Sequence, residues 1–202
     1  GGGGGGVDPD DLRTIAADVK RTRRDLPLFQ KEKTQASLEK LLIQWCIQRQ
    51  TSYKQGLNEV LAPFYTLAEP PLPEELIYKL FEAFVKRYLE VFLLDDDFGC
   101  LRRAFALFEL LLAYHDPALA RHLAGAGFTP ELYATPWILT LFSRQLAVGL
   151  VLRLWDTLLG ADDPNFVFFL MLALVTEGGE EAEEEAAAAA AAAAGTRGCR
   201  RW

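Results

Sequence analysis

The sequence predicts an all-α fold, an irregular two-lobed helical domain, and three observations carry that prediction. Apolar residues recur at helical spacing through the whole middle of the chain. Stretches alternating with a period of two are missing. No segment resembles another at a fixed period, as a solenoid of stacked helix pairs would require. Leu38, Leu41, Leu42 and Trp45 fall at i, i+3, i+4 and i+7, with Thr34 placed to cap the start of their helix. Ile77, Leu80, Phe81, Phe84 and Tyr88 repeat that spacing, with Pro73 expected in the first helical turn. Leu101, Phe105, Phe108 and Leu112 make a third stripe, which His115-Asp116-Pro117 ends. A fourth helix is expected from about Glu131 to Ser143 around Trp137, and a fifth over Val148–Leu159. The apolar run Asn165–Val175 reads as a buried helix; it is about half as long as a membrane-spanning helix.

Composition narrows the function. Of 202 residues, 50% are hydrophobic, and thirteen Phe and four Trp are too many for a disordered chain. The formal net charge is −7, and 22 acids against 18 bases outside residues 177–202 leave the body at about −4. An acidic body argues against non-specific nucleic-acid binding. Residues 1–7 read as a glycine-rich lead-in, 8–176 as the folded domain, and 177–202 as a low-complexity Glu/Ala tail. Cys46, Cys100 and Cys199 are odd in number and far apart, which suits reduced thiols. His115 and His122 lack neighbouring ligands, so no metal site is expected. Asp95-Asp96-Asp97 reads as a solvated turn. Gly1–Gly6 satisfies G-x-G-x-x-G trivially, and no Walker A loop is present. No cofactor of its own is expected.

Residues 15–22 read Ile-Ala-Ala-Asp-Val-Lys-Arg-Thr, and 53–59 read Tyr-Lys-Gln-Gly-Leu-Asn-Glu. Here the sequence resembles the TBC domain, the family of GTPase-activating proteins for Rab GTPases. Ile15, Asp18 and Arg21 match its I-x-x-D-x-x-R motif, and Tyr53, Gln55 and Gly56 match its Y-x-Q-G motif. Each motif alone is weak, and the two in order are far more specific. Asp97-Phe98-Gly99, Trp137-x-x-x-Leu141-Phe142 and Arg153-Leu154-Trp155-Asp156 follow in family order, so the resemblance covers about residues 12–175. It departs from the family at Arg23-Arg24, where an aromatic and a proline are common, and at Pro136, where an arginine is common. Leu57 and Glu59 are milder replacements. Some of the family's helices before the first motif, and those after the segment at Phe166–Val175, are not matched, so the chain reads as either a short member or a fragment, with a short C-terminal lobe expected.

The resemblance implies a GTPase activator that turns over no substrate itself. Hydrolysis of GTP needs positive charge on the γ-phosphoryl oxygens and a group that orients the attacking water. Arginine suits the first task, being always charged and able to bond two oxygens at once. An amide, with donor and acceptor side by side, suits the second. By resemblance, Arg21 is the arginine finger and Gln55 the glutamine finger, both supplied in trans. Asp18 is expected to aim Arg21, and Gly56 to let the backbone approach the partner. Ile15, Thr22, Tyr53 and Asn58 are expected to support the site or the partner contact. The implied partner is a GTP-bound Rab that holds the GTP and Mg²⁺. The protein itself is expected to be a monomer, cytoplasmic and peripheral at Rab-positive membranes. The alternatives are a catalytically weak Rab-binding module or adaptor in membrane trafficking, and a generic helical scaffold. The scaffold reading fails if Arg21 and Gln55 share one concave surface.

Overall fold

In the computed structural model, residues 7–95 and 97–177 are described; Gly1–Gly6, Asp96 and the Glu/Ala tail after Glu177 lie outside the described residues. Helix α1 (Pro9–Arg21) has strong local reasons to start where it does. The Asp8 carboxylate accepts the Asp10 amide at 2.7 Å, Pro9 opens the first turn, and Asp10 and Asp11 meet the positive end of the helix dipole. Its inner face buries Ile15, Asp18 and Val19. A 3₁₀ turn at Pro27–Gln30 reverses the chain into α2 (Glu32–Arg49), which lies along α1 and buries Leu38, Leu41, Leu42 and Trp45. The short α3 (Leu57–Leu61) runs on into a 3₁₀ turn at Ala62–Thr66, and α4 (Glu74–Tyr88) packs on that turn and on α2.

The C-terminal half begins after α5 (Glu90–Leu93). There α6 (Gly99–His115) packs on α7 (Pro117–Gly125) and α8 (Pro130–Tyr133), and α9 (Thr135–Thr140) follows directly. Next come α10 (Val148–Ala161) and a last helical stretch over 166–177. Among the described residues there is no strand, and no helix is long and apolar enough to cross a membrane.

Local details depart from the sequence pattern for identifiable reasons. Thr34 does not cap α2: the helix starts at Glu32, and Thr34 is buried in its first turn. Pro73 caps α4 from outside rather than opening its first turn, and Leu80 points off the buried stripe to solvent. The expected helix from Glu131 to Ser143 is broken. Ala134 separates α8 from α9, and Leu141 and Phe142 take left-handed backbone at φ 44° and 63°. The run Phe166–Val175 is buried on one face only; Val167, Phe168, Met171 and Leu172 face the core, whereas Phe169 and Leu174 are exposed. At the end of α6, Asp116 both stops the helix and caps α7, accepting the Leu119 amide at 2.9 Å. His115 and His122 are exposed.

One tryptophan is a joint between the two halves. The ring of Trp155, in the C-terminal half, lies 4.2 Å from Phe84 and 5.5 Å from Phe64, both in the N-terminal half. Asp156, its neighbour, is exposed. The Trp155 indole N–H donates to the Leu141 carbonyl at 2.9 Å, so the same residue fixes the left-handed turn after α9. That turn forms one wall of the pocket described below.

Trp155→Phe removes the only donor to the buried Leu141 carbonyl among the described residues and is expected to cost about 1–3 kcal/mol from that bond. Trp45 is also buried, but its indole N–H has no hydrogen-bond partner among the described residues. Trp45→Phe therefore loses ring area without a hydrogen bond. Urea unfolding of the two variants is expected to show Trp155→Phe as the less stable; the reverse order would remove the indole–carbonyl bond as the joint.

Candidate functional site

The end of α1, the segment 53–59 and the turn after α9 converge on a pocket of about 330 Å³, lined by Asp18, Arg21, Gln55, Gly56, Asn58, Glu59 and Arg144. Both expected fingers therefore open onto one concave surface, which removes the generic-scaffold reading. Asp18, only 4% exposed, gathers the polar side chains. Its Oδ1 takes the Arg21 guanidinium, one helical turn on, and the Gln55 amide at 3.4 Å. Its Oδ2 takes the Tyr53 hydroxyl at 3.1 Å. The Arg21 side chain is 64% exposed, so its ion pair with Asp18 is worth about 1 kcal/mol or less. A guanidinium held that weakly is aimed without being trapped.

A second layer locks the loop that carries Gln55. The Thr22 hydroxyl donates to the Asp18 carbonyl at 2.8 Å, which leaves its oxygen to accept the Asn58 amide at 2.9 Å. That bond orients the Asn58 amide, so its Oδ1 faces the Tyr53 hydroxyl at 3.1 Å. The single phenolic proton is thus shared between Asn58 and the charged Asp18. The Tyr53 amide donates to Asp11 at 3.0 Å, tying the loop to the first turn of α1. Burial above all, then the Asp18 charge and bond, push the Tyr53 hydroxyl well above its usual pKa. Ile15 is fully buried beneath α1 and contributes packing; it does not line the pocket.

Gly56 is required for an internal reason, independent of any room it leaves toward a partner. Its φ is +107°, and a Cβ there would sit 3.0 Å from the Thr140 methyl. The left-handed backbone lets the chain turn from Gln55 straight into α3, with α9 pressed against it.

The third wall escaped the sequence pattern. Arg23 belongs to the basic run Lys20, Arg21, Arg23 and Arg24, whose composition suggests a solvated face, yet it is buried. Its Nε lies 3.2 Å from Glu59 Oε2, and its Nη1 donates to the Leu146 carbonyl at 2.7 Å. Burial raises the Glu59 carboxyl above its usual pKa, with the Arg23 and Arg144 charges opposing. Arg144, on the turn after α9, is exposed at the pocket's edge. Periodicity carries no signal for any of these, because their placement depends on a left-handed residue and on a turn distant in sequence. Among the described residues, no group of three or more His, Cys, Asp or Glu could hold a metal ion. Asp95 is engaged with the Cys100 amide.

Comparison with known proteins identifies the family and the fold. Residues 6–181 match the family model described as the Rab-GTPase-TBC domain. The chain is 32% identical over 166 residues to the TBC domain-containing protein kinase-like protein of Homo sapiens, covering 82% of this chain and 18% of that protein. It is 26% identical over 166 residues to TBC1 domain family member 12 of Xenopus tropicalis, covering 81% of this chain and 24% of that one. The chain thus spans less than a quarter of the length of these relatives. Its fold resembles the crystal structure of the Ypt/Rab-GAP domain of Gyp1p, with a TM-score of 0.74 at 20% identity, over 85% of this chain and 62% of that one.

Two outcomes test the local chemistry. Gly56→Ala forces a left-handed alanine against the Thr140 methyl and is expected to cost about 1–3 kcal/mol; calorimetry checks it, and an unchanged melting temperature would contradict it. The raised Tyr53 pKa gives a pH dependence of definite sign. A group whose folded pKa exceeds its unfolded value, here near 10, stabilises fully below that pH and loses its contribution as the pH climbs toward the folded value. The stability advantage of the wild type over Tyr53→Phe, measured by urea midpoints, is expected to be constant at neutral pH and to shrink above about pH 10.

Proposed function

This chain belongs to the Rab-GTPase-TBC domain family, and from that premise we propose that it activates GTP hydrolysis on a GTP-bound Rab GTPase, with Arg21 and Gln55 as fingers supplied in trans. The observation that carries this reading is the shared anchor: Arg21 and Gln55 are both hydrogen-bonded to one oxygen of Asp18, at the edge of one pocket. Two groups held by a common buried carboxylate reach a partner together, at a fixed separation. On docking, the exposed Arg21 guanidinium exchanges its weak pairing with Asp18 for the γ-phosphoryl oxygens, where charge develops in the transition state. Gln55, itself exposed beside it, offers its amide oxygen and N–H to the attacking water. Tyr53, Asn58 and Thr22 hold the loop so that ordering it takes little from the binding energy.

On this reading the Rab holds GTP and Mg²⁺, and the activator binds no nucleotide and turns over no substrate of its own. It acts as a monomer, at the cytoplasmic side of Rab-bearing membranes. A Rab-binding module without catalysis would leave the Arg21–Asp18–Gln55 arrangement without a task.

Arg21→Ala is expected to lower the Rab GTPase rate by roughly 10³–10⁵-fold, about 4–7 kcal/mol of barrier. Arg21→Lys keeps the charge but loses the planar fork, so it is expected to fall nearly as far. Gln55→Ala is expected to collapse catalysis as well. Neither change touches the core, so melting temperatures stay near wild type, and affinity for GTP-loaded Rab falls far less than the rate. Single-turnover hydrolysis across a panel of Rabs measures this. The decisive partner is a Rab whose own switch glutamine is replaced by alanine. Wild-type protein is expected to accelerate it and Gln55→Ala to fail; a Rab variant wholly refractory to the wild type would overturn the role of Gln55.

A further inference from the structure

Arg23 carries three costs at once. Its backbone is left-handed at φ 43°, which a long side chain adopts rarely. Its side chain, 8% exposed, takes a full charge out of water. Its Nε and Nη2 are buried without a hydrogen bond, although Nε sits beside Glu59. A buried pair so incompletely bonded adds little to stability compared with an apolar pair of the same volume. A local arrangement this unfavourable, two residues from Arg21, is of the kind that functional sites retain.

What the arrangement achieves is connection. The left-handed turn at Arg23 directs the chain and its side chain inward straight after α1 ends. Through Nε the guanidinium reaches Glu59, four residues beyond Gln55; through Nη1 it reaches the Leu146 carbonyl, at the far end of the turn that Trp155 holds at Leu141. Glu59 in turn faces the Asn58 amide at 3.4 Å, which joins the pair to the Thr22–Tyr53–Asp18 bonds. We infer that Arg23 is a positioning residue: its buried guanidinium clamps the end of α1, the segment 55–59 and the turn 141–146 together, and so sets the separation of Arg21 and Gln55. This rests on the reading of those two residues as the fingers. Arg23 touches no reacting atom; it acts through the backbone of three segments.

The test uses the full chain with Arg23→Met, Glu59→Gln and the double substitution. Arg23→Met alone leaves the partly buried Glu59 without its ion-pair partner, so its melting temperature falls; the double variant, with neither charge of that pair, is expected to recover most of it. Hydrogen exchange then separates a clamp from a filler. The inference expects residues 54–59 and 141–146 of the double variant to lose protection selectively, by about tenfold or more, while the core of α4 keeps its own. Protection unchanged in both segments, or lost uniformly with α4, would overturn it. The rate arm follows: with a Rab that the wild type accelerates, the maximal rate is expected to drop on the order of 10–100-fold, with little change in the concentration for half-maximal effect. A double variant that regains full stability and full rate would also overturn the inference. Arg21→Ala, run in parallel, keeps the two readings apart. A wild type that accelerates no Rab, with Arg21→Ala indistinguishable from it, counts against the fingers; the exchange result then decides the clamp alone.

Discussion

The buried carboxylate of Asp18 is the constraint on which the site is built. A carboxylate out of water must be bonded on nearly every side, and Asp18 is bonded to Arg21, Gln55 and Tyr53. Those three come from one helix and from a loop more than thirty residues later, so satisfying one anion draws the two ends of the site together. Much of the surrounding structure follows from that need. Tyr53 must be buried to reach Oδ2, Asn58 must orient its amide against Thr22 to accept the same hydroxyl, and Gly56 must turn left-handed so that the loop enters α3 beneath them. The partners differ in strength of hold. Tyr53 is locked, whereas Arg21 is exposed and weakly paired. On the proposed reading, the residue that leaves to meet a phosphate is held far less firmly than Tyr53.

The far wall of the pocket depends on the C-terminal half through a chain of contacts. Phe64 and Phe84 seat the Trp155 ring, Trp155 holds the Leu141 carbonyl, and the left-handed pair Leu141–Phe142 swings the chain so that Arg144 and the Leu146 carbonyl come back to α1. Thr140 meets Gly56 in the same movement. Loss of packing in either half is therefore felt at the pocket, because the wall is a turn held at both ends rather than an independent loop.

Sequence alone determined the helical class, the principal stripes and the two motifs, because each rests on neighbours close along the chain. Helical periodicity in α2, α4 and α6 reflects burial against a core and needs no knowledge of which core. Asp18 and Arg21 are one turn apart on one helix, so their pairing is a property of spacing. Tertiary structure alone decided the rest. Arg23 looks like one cation among four until a left-handed backbone turns it inward onto Glu59 and Leu146. The helix expected from Glu131 to Ser143 breaks at Ala134 and again at the left-handed Leu141, whose carbonyl is held by Trp155, fourteen residues on. The spacing in Tyr-x-Gln-Gly matches a family, but the physical need for its glycine lies at Thr140, more than eighty residues away. Local propensity is summed over a few neighbours, whereas a buried charge or a close backbone approach is settled only by whatever the fold brings alongside.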